Sequence, residues 1–345
     1  MIKKSIFSVS LALSVLISGF SGGTVFANGS AKKPLDAEAS LQVSSKPTPS
    51  LPQSLDVEGV SVAKHSDGRV EPILNAENLT SSQLNSVLRE MNFTEKEITT
   101  FSDQFKKEIV ASGGVKVASE VDFKKVYSDA KNVKHEVTQE NQKEIDVLKT
   151  EDMKEKYGSK SSDNSLLGLM GMGSKDDGIF HAHSFITYGG LTYTEKEYKY
   201  TYWLYYEWKG VPKIYFHDSV AQAWQSHTTS VGGSGNHIYH PFCTNSNYDK
   251  TYPIDYEQKQ LYGSKGNFDL LGSGCDTLSQ YGTFKENVVI PITHNGETGA
   301  FVAGYAHPYS SSITKAVLNY VSIAWDDSWG DEYTWTNTFT IGSTS

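Results

Sequence analysis

The sequence predicts an α+β protein, with a small N-terminal helical hairpin region followed by an all-β antiparallel sandwich domain. Three observations carry this. Two complete helix-start signals follow each other between positions 79 and 114. After Phe180 the apolar period changes from that of a helix to two. Aromatic residues segregate as well: 18 of the 20 tyrosines and all six tryptophans lie after position 175, whereas 19 of the 31 Lys and Arg lie between 28 and 174.

The first 27 residues read as a signal peptide. Lys3 and Lys4 form a positive start, residues 6–20 an apolar run, and Val25-Phe26-Ala27 a small-residue cleavage site. The run is shorter than the roughly 20 apolar residues a bilayer span needs. The expectation is therefore a secreted, extracellular protein with no transmembrane anchor after cleavage. Residues 28–56 carry Pro34, Pro47, Pro49 and Pro52 among serines and alanines, the composition of a flexible leader.

Residues 57–114 hold the helical region. Thr80 with Gln83 forms a capping box, stapled by Leu79 and Leu84, and Leu84, Val87, Leu88 and Met91 make one apolar stripe. Thr94 with Glu97 and Phe93 with Ile98 repeat the device. Ile98, Phe101, Phe105 and Ile109 line the second helix, which Gly113-Gly114 stops. This capped pair, running to Lys107-Glu-Ile-Val-Ala-Ser-Gly-Gly114, resembles a segment of exported, uncharacterised proteins of Gram-positive bacilli. The resemblance covers about 35 residues. It implies export and brings no activity with it.

Residues 115–175 are rich in Lys, Glu, Asp and Ser and read as a polar linker or peripheral segment, ending in the apolar Leu166-Leu-Gly-Leu-Met-Gly-Met-Gly173. Residues 176–345 form the predicted sandwich. Tyr198, Tyr200, Tyr202, Leu204, Tyr206 and Trp208 share one strand face. Val317, Val321, Ile323 and Trp325 suggest another strand, as do Phe301 to His307 and residues 288–292. Near the C-terminus Tyr333, Trp335, Phe339 and Ile341 alternate with threonines, a half-buried antiparallel pattern.

Composition excludes some functions. A net charge of −9 and only two arginines, Arg69 and Arg89, argue against a nucleic-acid partner. No Gly-x-Ser-x-Gly, His-Glu-x-x-His or P-loop occurs. The two cysteines, Cys243 and Cys275, read as a disulfide in an exported chain.

Three candidate sites remain. Residues 225–284, rich in Gly, Ser, Asn and Tyr, read as long ligand-binding loops, with Tyr239, Tyr248, Tyr252, Tyr256 and Tyr262 as contacts. Eight of the ten histidines lie in the C-terminal domain. His181 and His183 would share a strand face, and His237 and His240 would complete a zinc site. Asp326, Asp327 and Asp331 offer oxygen ligands for calcium. No cofactor is expected beyond such a zinc or calcium ion. The leading expectation is a non-catalytic binding protein for a cell-surface glycan or protein. A metal-dependent hydrolase using the histidines, and a toxin or antimicrobial with an N-terminal pro-segment, are the alternatives.

Overall fold

A computed structural model describes residues 51–157, 180–210, 216–241, 249–270, 277–311, 314–326 and 329–344. The chain divides into residues 1–48, which lie outside the described residues, and residues 49–345. The signal-peptide reading of residues 1–27 thus falls outside the described residues, as does most of the leader. Among the described residues no helix is long and apolar enough to cross a membrane.

The chain forms a hairpin, β1 (Gln53–Val57) and β2 (Val60–Lys64), then helices α1 (Ser81–Glu90), α2 (Glu95–Thr100) and α3 (Asp103–Ser112). Strands β3 (Val115–Ser119), β4 (Asp122–Ser128) and β5 (Lys134–Val137) follow, then helix α4 (Gln142–Tyr157). The remaining strands are β6 (Phe180–Thr192), β7 (Glu197–Trp208), β8 (His217–Trp224), β9 (Thr229–Pro241), β10 (Lys250–Pro253), β11 (Asp255–Gln260), β12 (Gly263–Asp269), β13 (Thr277–Pro291), β14 (Thr298–Pro308), β15 (Lys315–Asn319), β16 (Ser322–Asp326) and β17 (Gly330–Thr340). Two antiparallel sheets result, ordered β10-β9-β13-β7-β6-β3 and β11-β12-β8-β14-β17-β4-β5. They stack as a β-sandwich.

The core between the sheets is built from aromatic rings. Tyr198, Tyr200, Tyr202, Leu204, Tyr206 and Trp208 point inward from β7 and meet Phe301, Tyr305, Tyr333, Trp335 and Phe339 of the second sheet. Tyr202 stacks on Phe301 with centroids 4.4 Å apart. Buried hydrogen bonds cross the gap. Trp208 Nε1 donates to the Tyr305 hydroxyl at 2.8 Å, Gln222 Nε2 to the Phe284 carbonyl at 2.9 Å, and Asn337 Nδ2 to Ser184 Oγ at 2.6 Å. Polar groups buried this way fix the register of one sheet on the other.

The alternate face of β6 and β7 carries a smaller apolar patch among polar residues. Phe185, Trp203 and Tyr205, with Ile238 and Tyr281 from β9 and β13, pack under α1 to α3. Both capping boxes form, Thr80 with Gln83 and Thr94 with Glu97. The second helix expected from Thr94 to Gly113 is interrupted. Phe101 turns to extended backbone and packs against Phe185, Tyr205 and Phe105, and Ser102 caps a new helix by accepting from the Phe105 N–H. A buried ion pair joins this layer to the first sheet: Lys116 Nζ of β3 lies 2.7 and 2.9 Å from the Glu97 carboxylate oxygens.

Three further differences from the sequence reading have physical causes. The polar 115–175 segment supplies a strand to the first sheet and two to the second, so a boundary at 175 does not separate compact units. Residues 225–284 are mostly strand, namely β9 to β12 and the start of β13. Gly235 and Gly282 make room for neighbouring side chains rather than for loop turns. A Cβ at Gly235 would lie 2.8 Å from the Phe284 ring and 2.9 Å from Ile254, and one at Gly282 would collide with the Tyr206 ring. Residues 317–325 form the hairpin β15–β16, turning at Tyr320 and Val321, so Val317 faces solvent while Ala316, Leu318 and Trp325 cover Ala221 and Ala306.

The pairing of β3 with β6 and of β4 with β17 predicts the behaviour of a cut chain. Cleavage at a protease site inserted between residues 166 and 175 should leave two pieces that co-elute on size exclusion and separate only in denaturant. Separation in native buffer would contradict the pairing.

Candidate functional site

Of the four histidines named from sequence, His181 and His183 do not converge with His237. His181 and His183 lie on one face of β6, as the period of two requires, and His183 packs edge-on to Phe101 beneath the helices. His237 is buried on the opposite face. It stacks on Phe268 at 4.7 Å, its Nδ1 lies 3.1 Å from the Tyr206 hydroxyl and its Nε2 lies 3.1 Å from Gln280 Oε1. Burial pushes its pKa down to about 4, so it is a neutral core residue at neutral pH. Three strand spacings, about 14 Å, also separate β9 from β6. His240 pairs with Ser279 in β9, and its side chain lies outside the described ones.

The acidic trio does not form a calcium site either. Asp326 is exposed at the end of β16 and Asp327 lies outside the described residues. Asp331 is buried on β17, with both oxygens held by Lys149 Nζ of α4 at 2.6 and 2.9 Å and the Tyr309 hydroxyl donating to one of them. Tyr127, Tyr309 and Trp329 surround this pair. Both oxygens serve the docking of α4.

A second buried acid sits nearby. Asp218 of β8 accepts from the Tyr305 hydroxyl, and its Oδ1 lies 2.9 Å from His307 Nδ1 of β14. Trp208 covers His307 at a centroid distance of 4.8 Å. Burial pushes the Asp218 carboxyl up, partly offset by His307. This His–carboxylate pair lies buried inside the sandwich.

The tyrosines named from sequence have different fates. Tyr256 is half-buried and donates to Glu286 at 2.7 Å, and its ring leans on Phe284. Tyr239 is half-buried on β9, and Tyr248 lies outside the described residues. Tyr252 is 44% exposed on the edge strand β10. Tyr262 stands edge-on to Tyr320 with centroids 4.1 Å apart. Tyr320 is 45% exposed, and Leu261 beside Tyr262 is 79% exposed. Backbone bonds hold the pair in place: the Trp224 N–H donates to the Tyr262 carbonyl at 2.8 Å, and the Val321 N–H to the Trp224 carbonyl at 3.3 Å. An aromatic platform therefore sits on two turns at one end of the sandwich.

At the same end, beyond β8 and between β13 and β14, lies a group that the sequence reading did not single out: His227, His294 and Glu297. The spacing His294-x-x-Glu297 in a Gly-bearing turn was the only local signal, and His227 is far away in sequence. Cys243 and Cys275 lie outside the described residues.

Comparison of the chain with known protein families found no match, and comparison with curated proteins found none either. The function therefore has to be argued from the geometry.

Asp331 gives a pH prediction. Burial pushes its carboxyl up, but Lys149 and Lys125 outweigh this and hold it at about 2. A carboxyl depressed in the folded state stabilises above its unfolded pKa, near 3.9, and loses that contribution as the pH falls through the folded value. The loss should be on the order of 2 kcal/mol between about pH 4 and pH 2. Asp331→Asn leaves Lys149 buried without its counter-charge and should cost about 3–5 kcal/mol at pH 6. Its denaturant midpoint should also fall less steeply in acid than that of the parent. Parallel slopes would show that the pair does not govern acid stability.

Proposed function

We propose that this chain is an exported, non-catalytic binding protein that recognises a cell-surface glycan or protein. The observation that supports this best is the half-buried Tyr262 set edge-on to the exposed Tyr320, with the exposed Leu261 beside it, on the turn end of the sandwich. Tyrosine offers a large contact area with two side-chain torsions to order, and its apolar ring face with a polar tip suits both sugar rings and protein surfaces. Backbone hydrogen bonds to Trp224 keep the platform preorganised, which lowers the cost of binding. Tyr252, on the edge of the first sheet, is a second exposed contact.

Export rests on the signal-like first 27 residues and on the resemblance of the capped helices to exported proteins of Gram-positive bacilli. In this reading the helices of residues 57–114 serve as a cover for the first sheet. A hydrolase using His181, His183, His237 and His240 is disfavoured because His237 lies on the opposite face from His181 and His183. A pro-segment released near 166–175 is disfavoured because β3 to β5 remain hydrogen-bonded in both sheets.

The disulfide belongs to the same proposal. Pro241 of β9 stands opposite Thr277 of β13, and Cys243 lies two residues after Pro241 while Cys275 lies two residues before Thr277. A bridge there would close a loop worth about 3.5–4 kcal/mol on the chain-entropy estimate. The intact mass of secreted protein should fit residues 28–345 less two hydrogens, and reduction should restore them. A free-thiol mass would remove the bridge from the proposal.

Binding is tested with a glycan array and a Tyr262→Ala/Tyr320→Ala double variant. The expected result is selective glycan binding that the double variant loses by at least about tenfold, the scale of one hot-spot contact. A blank array followed by capture of a surface protein, lost in the same variant, would place the ligand among proteins. Binding that survives the double substitution would overturn the platform.

A further inference from the structure

The group on the loops after β8 and between β13 and β14 has the donor set of an open metal site. One ligand atom from each of His227, His294 and Glu297 lies within 4.8 Å of the others. The two imidazoles are stacked with centroids 4.1 Å apart and an interplanar angle of 11°. His294 Nδ1 lies 2.9 Å from Glu297 Oε2. His227 Nε2 is buried and has no hydrogen-bond partner. A buried nitrogen without a partner is costly, and a second imidazole face-to-face with it supplies no proton.

The backbone around these residues is fixed. The Ile292 N–H donates to the Lys196 carbonyl at 2.9 Å, the Gly296 N–H to the Ile341 carbonyl at 2.8 Å, and the Tyr198 hydroxyl to Asn295 Oδ1 at 2.6 Å. On the other loop, the Thr228 N–H donates to the Gln225 carbonyl at 3.1 Å, and Gln225 Oε1 accepts from the Ala300 N–H at 3.0 Å. Two loops tied to the strands that flank them thus bring their donors together.

We propose that His227, His294 and Glu297 form a binding site for a divalent transition-metal ion of the zinc class, with a fourth position left for an oxygen ligand. Two imidazoles and one carboxylate are a borderline set that suits zinc better than calcium or magnesium, which prefer oxygen alone. Zinc would take its nitrogen and oxygen ligands at about 2.0–2.2 Å. The site differs from the histidines named from sequence and does not depend on the binding reading above. It lies at the same end of the sandwich as Tyr262 and Tyr320, so a ligand hydroxyl or carboxylate bound there would be within the same surface.

The test is calorimetric titration of zinc chloride into the untagged, chelator-treated full chain, with His227→Ala, His294→Ala, Glu297→Gln and His181→Ala/His183→Ala variants. Melting in chelator checks that each variant folds. One zinc per chain is expected. Loss of one histidine ligand should weaken binding by more than about 100-fold, beyond what outer-sphere partners carry. Glu297→Gln should weaken it less, and the His181/His183 variant should bind like the parent. Absence of binding would overturn the proposal, as would binding lost only in the His181/His183 variant. Because no glycan or protein ligand enters the titration, failure here leaves the Tyr262–Tyr320 reading to its own test.

Discussion

The structure depends on the two apolar faces of β7. Tyr198, Tyr200, Tyr202, Leu204, Tyr206 and Trp208 point one way, and Trp203 and Tyr205 the other. A strand with rings on both sides needs a layer on each side to keep them from water. The second sheet covers one face and α1 to α3 cover the other. The glycines of β9, β12 and β13 follow from the same demand, because rings as large as Phe284 and Tyr206 need strands without side chains beside them. Buried polar contacts then set orientation. Trp208 with Tyr305 aligns sheet on sheet, and Lys116 with Glu97 aligns helix on sheet.

Much of this was legible in the sequence because it is local. The period of two in β7 and β17 and the two capping boxes are short-range patterns, and they appear where the residues place them. The helix break at Phe101 was hidden because Ser102 lacks a Glu or Gln three residues later, so only its neighbours reveal it as a cap. Strands β4 and β5 were hidden by their lysines. Lys124 and Lys134 have the look of solvated surface, and an edge strand such as β5 uses charge to stay unpaired. The Gly, Ser and Asn of residues 225–284 were read as loop composition, although several of the glycines serve ring packing.

The sites were harder to read, for a different reason. His181-x-His183 and the acidic run near Asp331 looked like ligand sets because sequence shows proximity but not direction. Asp331 turns inward to Lys149, and His237 turns inward to Tyr206 and Phe268. Conversely, Tyr262 with Tyr320 and His227 with His294 are made by tertiary structure alone. Turns distant in sequence meet because the antiparallel sheets return the chain to the same end.

The placement of β4 has a kinetic consequence. Asp122 stands opposite Thr336, so the strand is made well before its neighbour β17 and stays unpaired until residue 336 exists. Contacts of such sequence separation slow folding, and until they form the rows of N–H and C=O groups along β14 and β4 stay open to other chains. A chaperone that holds the nascent chain until β17 has been made, rather than one that acts on the helices, would therefore protect it at the point of greatest exposure.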